Sequence, residues 1–144
     1  MPLSRLDKAL IGAARTHRRR AATALAPLGL HPGQDVLLAV LSRRPTATQA
    51  QLARILRVEA PTLAVMVRRL EAAGLVARSS DASDARVKIV RLTPQGHEIA
   101  DQADRALSEV SRDVRAALTD DDAQRLTTLL EQLTSTLDGD TGER

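Results

Sequence analysis

Apolar residues recur at helical spacing in six stretches of the chain, and between the fourth and the fifth the pattern changes to short β-prone runs. Leu3, Leu6, Leu10 and Ala13, continued by Ala21, Ala22 and Leu25, predict a long first helix that Pro27 and Gly29 end. Pro32 is placed as the first-turn proline of a second helix with Val36, Leu37, Val40 and Leu41 on its apolar side, and Pro45 closes it. Thr48 followed three residues later by Gln51 is a capping-box pattern, in which hydroxyl and amide satisfy orphan backbone donors. It opens a short helix from Gln49 to Leu56. Pro61 then takes a first helical position, Leu63, Met66, Val67 and Leu70 form an i, i+3, i+4, i+7 stripe, and Gly74 supplies the stop.

Two short helices joined by a tight connection make a helix-turn-helix pattern, with the second as recognition helix. The runs "LVARSS" and "VKIVRLT" flank the polar "DASDA", the composition of a hairpin, so the unit reads as helix, helix, two-stranded wing. Thr93 and Pro94 are an N-cap and first position for a long helix carrying Ile99, Ala103, Leu107, Val110, Val114 and Leu118. Thr119 with Asp120, Asp121 and Asp122 starts a last helix, where carboxylates face the positive end of the dipole; its stripe is Leu126, Leu129, Leu130, Leu133 and Leu137. The final "DGDTGER" reads as disordered. The pattern therefore predicts a mainly α fold with a small β wing.

Composition narrows the function. The 144 residues suit one domain, and with no Phe, Tyr or Trp the core must be built from Leu, Val, Ile, Ala and two Met. Base stacking on aromatic side chains is thereby excluded, which argues against a single-strand platform. The absence of Cys excludes disulfides and thiolate metal sites. Arg5, Asp7 and Lys8 interrupt the N-terminus early, so neither a signal peptide nor a membrane span is expected, and the chain reads as cytoplasmic. His17, His31 and His97 are scattered over different elements, and no glycine-rich phosphate loop or nucleophile elbow is present. Neither an enzyme nor a metal or other cofactor is expected. The Asp120–Asp122 cluster is better explained by helix capping than by metal binding.

The net charge of +3 conceals an asymmetry: residues 1–92 carry 16 Lys and Arg against 6 Asp and Glu, whereas residues 93–144 carry 5 against 12. A basic body with an acidic remainder suits a polyanion partner for the first part. Within the first helix "RTHRRR", Arg15 to Arg20, reads first as a solvated basic turn and second as a phosphate contact or pocket lining.

The run "TQAQLARILRVEAPTLAVMVRRLEAAGLVARSSDASDARVKIVRLTPQG", Thr48 to Gly96, resembles the MarR family of bacterial transcription regulators in the style of its SlyA-like members. A "TQ..LA" helix, a recognition helix ending in "RLE..GLV", a wing "D..D.R" and an "LT..G" helix start follow in order and spacing. The resemblance implies one domain over 1–144, with a winged helix-turn-helix body at 31–92 and dimerisation helices at 1–30 and 93–144. It implies a homodimer that binds pseudo-palindromic double-stranded DNA as a repressor and releases it on binding a small aromatic or phenolic effector. No effector-binding residue is assigned, although His17, Arg20 and His31 stand where such a molecule would lie.

Site residues follow from resemblance and helical phase together. With Leu63, Met66, Val67 and Leu70 inward, about 100° per residue turns Pro61, Val65 and Arg68 outward. The expected DNA-binding set is Thr48, Gln49, Pro61, Thr62, Ala64, Val65, Arg68, Arg69, Asp84, Arg86 and Lys88. The helix residues would meet major-groove base edges. Arg86 and Lys88, with Arg91, would approach the minor groove or its phosphates, while Asp84 orients Arg86 or closes the hairpin. Leu6, Leu10, Leu118, Leu126, Leu129 and Leu133 are expected in the dimer interface. The chain departs from the SlyA-like pattern at Val65, commonly arginine, at Ala64, often polar, at Ala85, a common second wing arginine, and at Arg57, often glycine. The apolar Ala64 and Val65 keep an alternative in view, a winged-helix protein-interaction module with weak or no DNA binding.

Overall fold

Helix α1, Arg5–Leu25, starts at a capping box: the Ser4 hydroxyl accepts the Asp7 N–H at 3.0 Å and the Asp7 carboxylate accepts the Ser4 N–H at 2.9 Å. Leu3, expected on this helix, precedes the cap and is exposed. The computed structural model to which these positions belong describes residues 2–139. In chain order they continue as α2 (Gln34–Arg43), β1 (Ala47–Thr48), α3 (Gln49–Leu56), α4 (Ala60–Ala72), β2 (Val76–Ser80), β3 (Lys88–Leu92), α5 (Pro94–Ala116) and α6 (Asp120–Gly139).

Pro32 is not the first-turn proline of α2. Gly33 follows it with φ 102°, outside the helical region, so the helix opens only at Gln34. That start turns Leu37, Leu38 and Leu41 inward and leaves Val36, expected inside, 47% exposed. The sheet also has one strand more than the expected wing. Its order is β1-β3-β2, all antiparallel, with Ala47 opposite Val90 and Val76 opposite Leu92. The short β1 fastens the start of α3 to the wing.

The described chain divides into two compact units between Ser108 and Glu109, inside α5. In the first, Leu25, Leu37, Leu38, Leu52, Val67 and Val90 have no exposed surface and form an aliphatic core shared by α1 to α4 and the sheet. Close packing of branched aliphatic side chains replaces the large aromatic residues that usually fill such a core.

The start of α5 is bound into this unit. The Thr93 hydroxyl accepts the Gly96 N–H at 3.0 Å and donates to the Gly74 carbonyl at 2.6 Å, and the Thr93 N–H donates to the Leu75 carbonyl at 3.1 Å. One residue thus caps α5 and ties it to the end of α4. Gly96 is buried against the same loop: a Cβ there would fall inside the Leu75 carbonyl oxygen and stand 3.2 Å from Leu92 Cδ2.

In the second unit Thr119 caps α6, its hydroxyl accepting the Asp122 N–H at 3.2 Å. Val110 and Ala123 are its buried apolar residues among those described, while Leu126, Leu129, Leu130, Leu133 and Leu137 are exposed on α6. Leu118, expected on the long helix, lies beyond its end in the connection to α6, because α5 stops at Ala116. Of the tail read as disordered, Asp138 and Gly139 complete α6, and residues 140–144 lie outside the described residues.

Candidate nucleic-acid interface

Helices α3 and α4 are the two arms of the helix-turn-helix. The Thr48 hydroxyl accepts the Gln51 N–H at 3.1 Å and the Gln51 side chain accepts the Thr48 N–H at 2.9 Å, so the capping box is formed. Thr48 therefore positions α3, and Gln49 is its first residue. Arg57 ends α3 in the left-handed conformation, φ 54° and ψ 46°, and the Val58 N–H donates to the Ala53 carbonyl at 3.0 Å. The tight turn is kept without glycine, although an L residue there costs about 1 kcal/mol.

Helix α4 starts at Ala60, one residue before the expected proline, and Glu59 at its N-cap makes no side-chain capping bond. Leu63, Val67 and Leu70 are buried and Met66 is half-buried. On the other side Pro61, Thr62, Val65, Arg68 and Arg69 are exposed, and Ala64 is half-buried. The helix ends in two bonds around Gly74, φ 75°: the Leu75 N–H donates to the Leu70 carbonyl at 2.9 Å and the Gly74 N–H to the Glu71 carbonyl at 2.9 Å. Arg78 of β2 then pairs with Glu71 at 2.9 Å, joining the end of α4 to the wing.

The wing tip is organised by Asp81, the first aspartate of the wing pattern "D..D.R", to which the sequence alone gave no role. Its carboxylate accepts the Ser83 N–H at 2.8 Å, the Ser83 hydroxyl, and the Asp84 N–H at 3.2 Å. Those bonds, the Ser83 hydroxyl foremost, hold the Asp81 carboxyl below its ordinary pKa. Asp84 accepts the Arg86 N–H at 3.0 Å, the hairpin-closing arrangement of its two readings. Lys88 is turned back into the hairpin, its ammonium donating to Ser80 Oγ at 2.9 Å and to the Ala85 carbonyl at 3.2 Å. The Arg86 side chain, by contrast, is exposed and makes no hydrogen bond or ion pair to any described residue.

A cleft of about 500 Å³ opens beside α4, lined by Arg18, His31, Pro32, Gln34, Thr62, Val65, Met66 and Arg69. Of the three residues considered for an effector, His31 lines it and His17 and Arg20 do not. Arg18 does, and only its membership of "RTHRRR" pointed to it. Among the described residues no group of three His, Cys, Asp or Glu is placed to hold a metal ion, and no helix is long and apolar enough to cross a membrane.

A capped first helix, a second helix with one bare face and a hairpin with an exposed arginine at its tip make this a winged helix-turn-helix protein. The MarR family pattern matches residues 30–88. The HTH-type transcriptional repressor Rv2887 of Mycobacterium tuberculosis is 34% identical over 118 residues, 82% of this chain and 85% of the relative. The chain belongs to the MarR family. Among solved structures, a mutant MarR from E. coli complexed with operator DNA superposes with a TM-score of 0.83 at 25% identity, over 89% of this chain and 92% of that one. MepR of S. aureus, in a DNA complex, shares the fold with a TM-score of 0.85 at 20% identity, over 94% of this chain and 99% of that one.

Proposed function

We propose that the chain is a transcriptional repressor that binds a pseudo-palindromic operator in double-stranded DNA as a homodimer. The observation that carries this reading is the bare face of α4, where Pro61, Thr62, Val65 and Arg68 stand exposed opposite the buried Leu63, Val67 and Leu70. A helix fits the major groove, whose base edges differ in donors, acceptors and methyl groups. Val65 and the methyl of Thr62 suit thymine methyls, and Arg68 supplies polar contact. The relatives named as repressors and the DNA complexes of similar folds support the same reading.

Val65→Arg is expected to redirect specificity. A guanidinium there reaches guanine O6 and N7, worth about 1–3 kcal/mol at a suitably placed base pair. Arg86→Ala should instead weaken binding evenly across sequences, since a wing-tip charge acts mainly on phosphates and groove potential. Both variants are measured against operators selected from random duplex DNA and their point mutants. A uniform effect of Val65→Arg on every site would remove Val65 from the base-reading face.

The homodimer is supported by the exposed leucine row of α6, with Leu129 at 60% and Leu137 at 61% exposure, and by Leu6 on α1 at 71%. Surface of this kind marks an interaction site. Leu129→Asp should dissociate the dimer, because a charge desolvated in an apolar interface is costly. Sedimentation at micromolar concentration reads the result, and an intact dimer would move the interface elsewhere. A small aromatic or phenolic effector, implied by the family resemblance, completes the proposal; benzoate and phenol titrated against the preformed operator complex test it.

A further inference from the structure

The cleft beside α4 contains two arginines from different elements, Arg18 of α1 and Arg69 of α4. Neither makes an ion pair or hydrogen bond through its side chain to any described residue, and among the described residues no carboxylate lines the cleft. Two guanidinium groups facing one space repel each other, so an anion placed between them is attracted by both.

Helical phase says which anion. Pro61, Val65 and Arg68 define the centre of the exposed face of α4, and Thr62 and Arg69 are rotated from it toward one flank. A helix about 10–12 Å across fills a major groove about 12 Å wide, so its flanks lie against the sugar–phosphate walls while its front meets the bases. Val65, on the reading face, and Thr62 both line the cleft, which therefore opens onto the groove at the wall that Arg69 faces. His31 lines the same space and can donate a ring N–H to a phosphate oxygen.

We propose that this cleft seats a phosphate of the operator backbone, gripped by Arg18 and Arg69, and that α1 is thereby a direct DNA-contacting element. The inference rests on the DNA-binding reading and adds to it a residue outside the helix-turn-helix and wing. Phosphate contacts fix the register of a helix in its groove without carrying sequence information. Arg18 would thus set how Val65 and Arg68 are aimed at the bases.

The test is operator affinity against salt, by fluorescence anisotropy on a duplex selected by the wild-type protein. Losing one phosphate contact per subunit lowers the slope of log affinity against log salt by about 0.9 each, about 1.8 per dimer. Arg18→Ala is expected to show that drop, evenly over operator point mutants, and Arg18→Lys to recover most of it. Arg19→Ala removes the same charge one residue away, outside the cleft lining, and is expected to leave most of the slope. Arg18→Ala combined with Arg69→Ala should lose less than the sum of the singles, since both hold one phosphate. An unchanged slope for Arg18→Ala, or an equal drop for Arg19→Ala, would overturn the proposal. So would operator binding that is unaffected by Arg18→Ala while binding of benzoate, followed by calorimetry, is lost; the cleft would then be a small-molecule pocket. If the wild-type protein enriches no duplex at all, the DNA-binding reading itself fails.

Discussion

Operator affinity is expected to fall by about 10³- to 10⁵-fold between about 50 mM and about 200 mM salt. On the proposed reading, the exposed face of α4 offers few donors that distinguish bases, so a large share of the binding free energy must come from phosphates. The cations are available: Arg68, Arg69 and Arg86 are exposed, and residues 1–92 hold 16 Lys and Arg against 6 Asp and Glu. A dimer that neutralises about 6–10 phosphates releases a matching number of condensed counterions, and that release weakens as bulk salt rises. A titration of one selected duplex at several salt concentrations measures the effect. A nearly flat line would favour the protein-interaction alternative, in which Ala64 and Val65 meet an apolar partner.

Gly96→Ala is expected to cost about 3 kcal/mol or more, lowering the melting temperature by on the order of 10 °C. The added methyl would collide with the Leu75 backbone carbonyl, which cannot swing away as the end of a flexible side chain would, and would press on Leu92 Cδ2 in the core. Relief requires α5 to move off the end of α4, which would stretch the Thr93 bonds to Gly74 and Leu75. Gly12→Ala provides the contrast. Gly12 lies inside α1 with nothing within 4 Å of the added atom, so alanine there should stabilise by about 0.5–1 kcal/mol through helix propensity and a less flexible unfolded chain. Urea unfolding of both variants checks the pair, and equal small effects would show that the α5 junction yields easily.

Much of this architecture was legible because the signals are local. The Thr48–Gln51 box, the Leu63–Leu70 stripe, the Gly74 stop and the caps at Thr93 and Thr119 each depend on residues within one or two turns. What escaped depends on residues far apart in sequence. Strand β1 is two residues long and exists only because β3 supplies its partners, so it leaves no alternation to detect. The inward turn of Leu38 in place of Val36 follows from Gly33 delaying α2, which Pro32 obscured. Lys88 bonds to Ser80 because the hairpin register sets those residues opposite one another. Arg18 joins the cleft, and its neighbour His17 does not, because α1 packs with one particular face toward the helix-turn-helix. The Ser4–Asp7 box is equally local, but the apolar stripe begins at Leu3, ahead of the cap, and so masks the helix start.

The fastening of the wing has a thermodynamic consequence for complex formation. Asp81, Asp84 and Lys88 close the hairpin tip within the protein itself, and the Glu71–Arg78 pair fixes the hairpin to α4. The conformational entropy of that loop is therefore lost when the chain folds, not when it meets DNA. Association then resembles the docking of rigid bodies, with a heat-capacity change set by the surface that the two partners cover and no added contribution from a segment folding on its target.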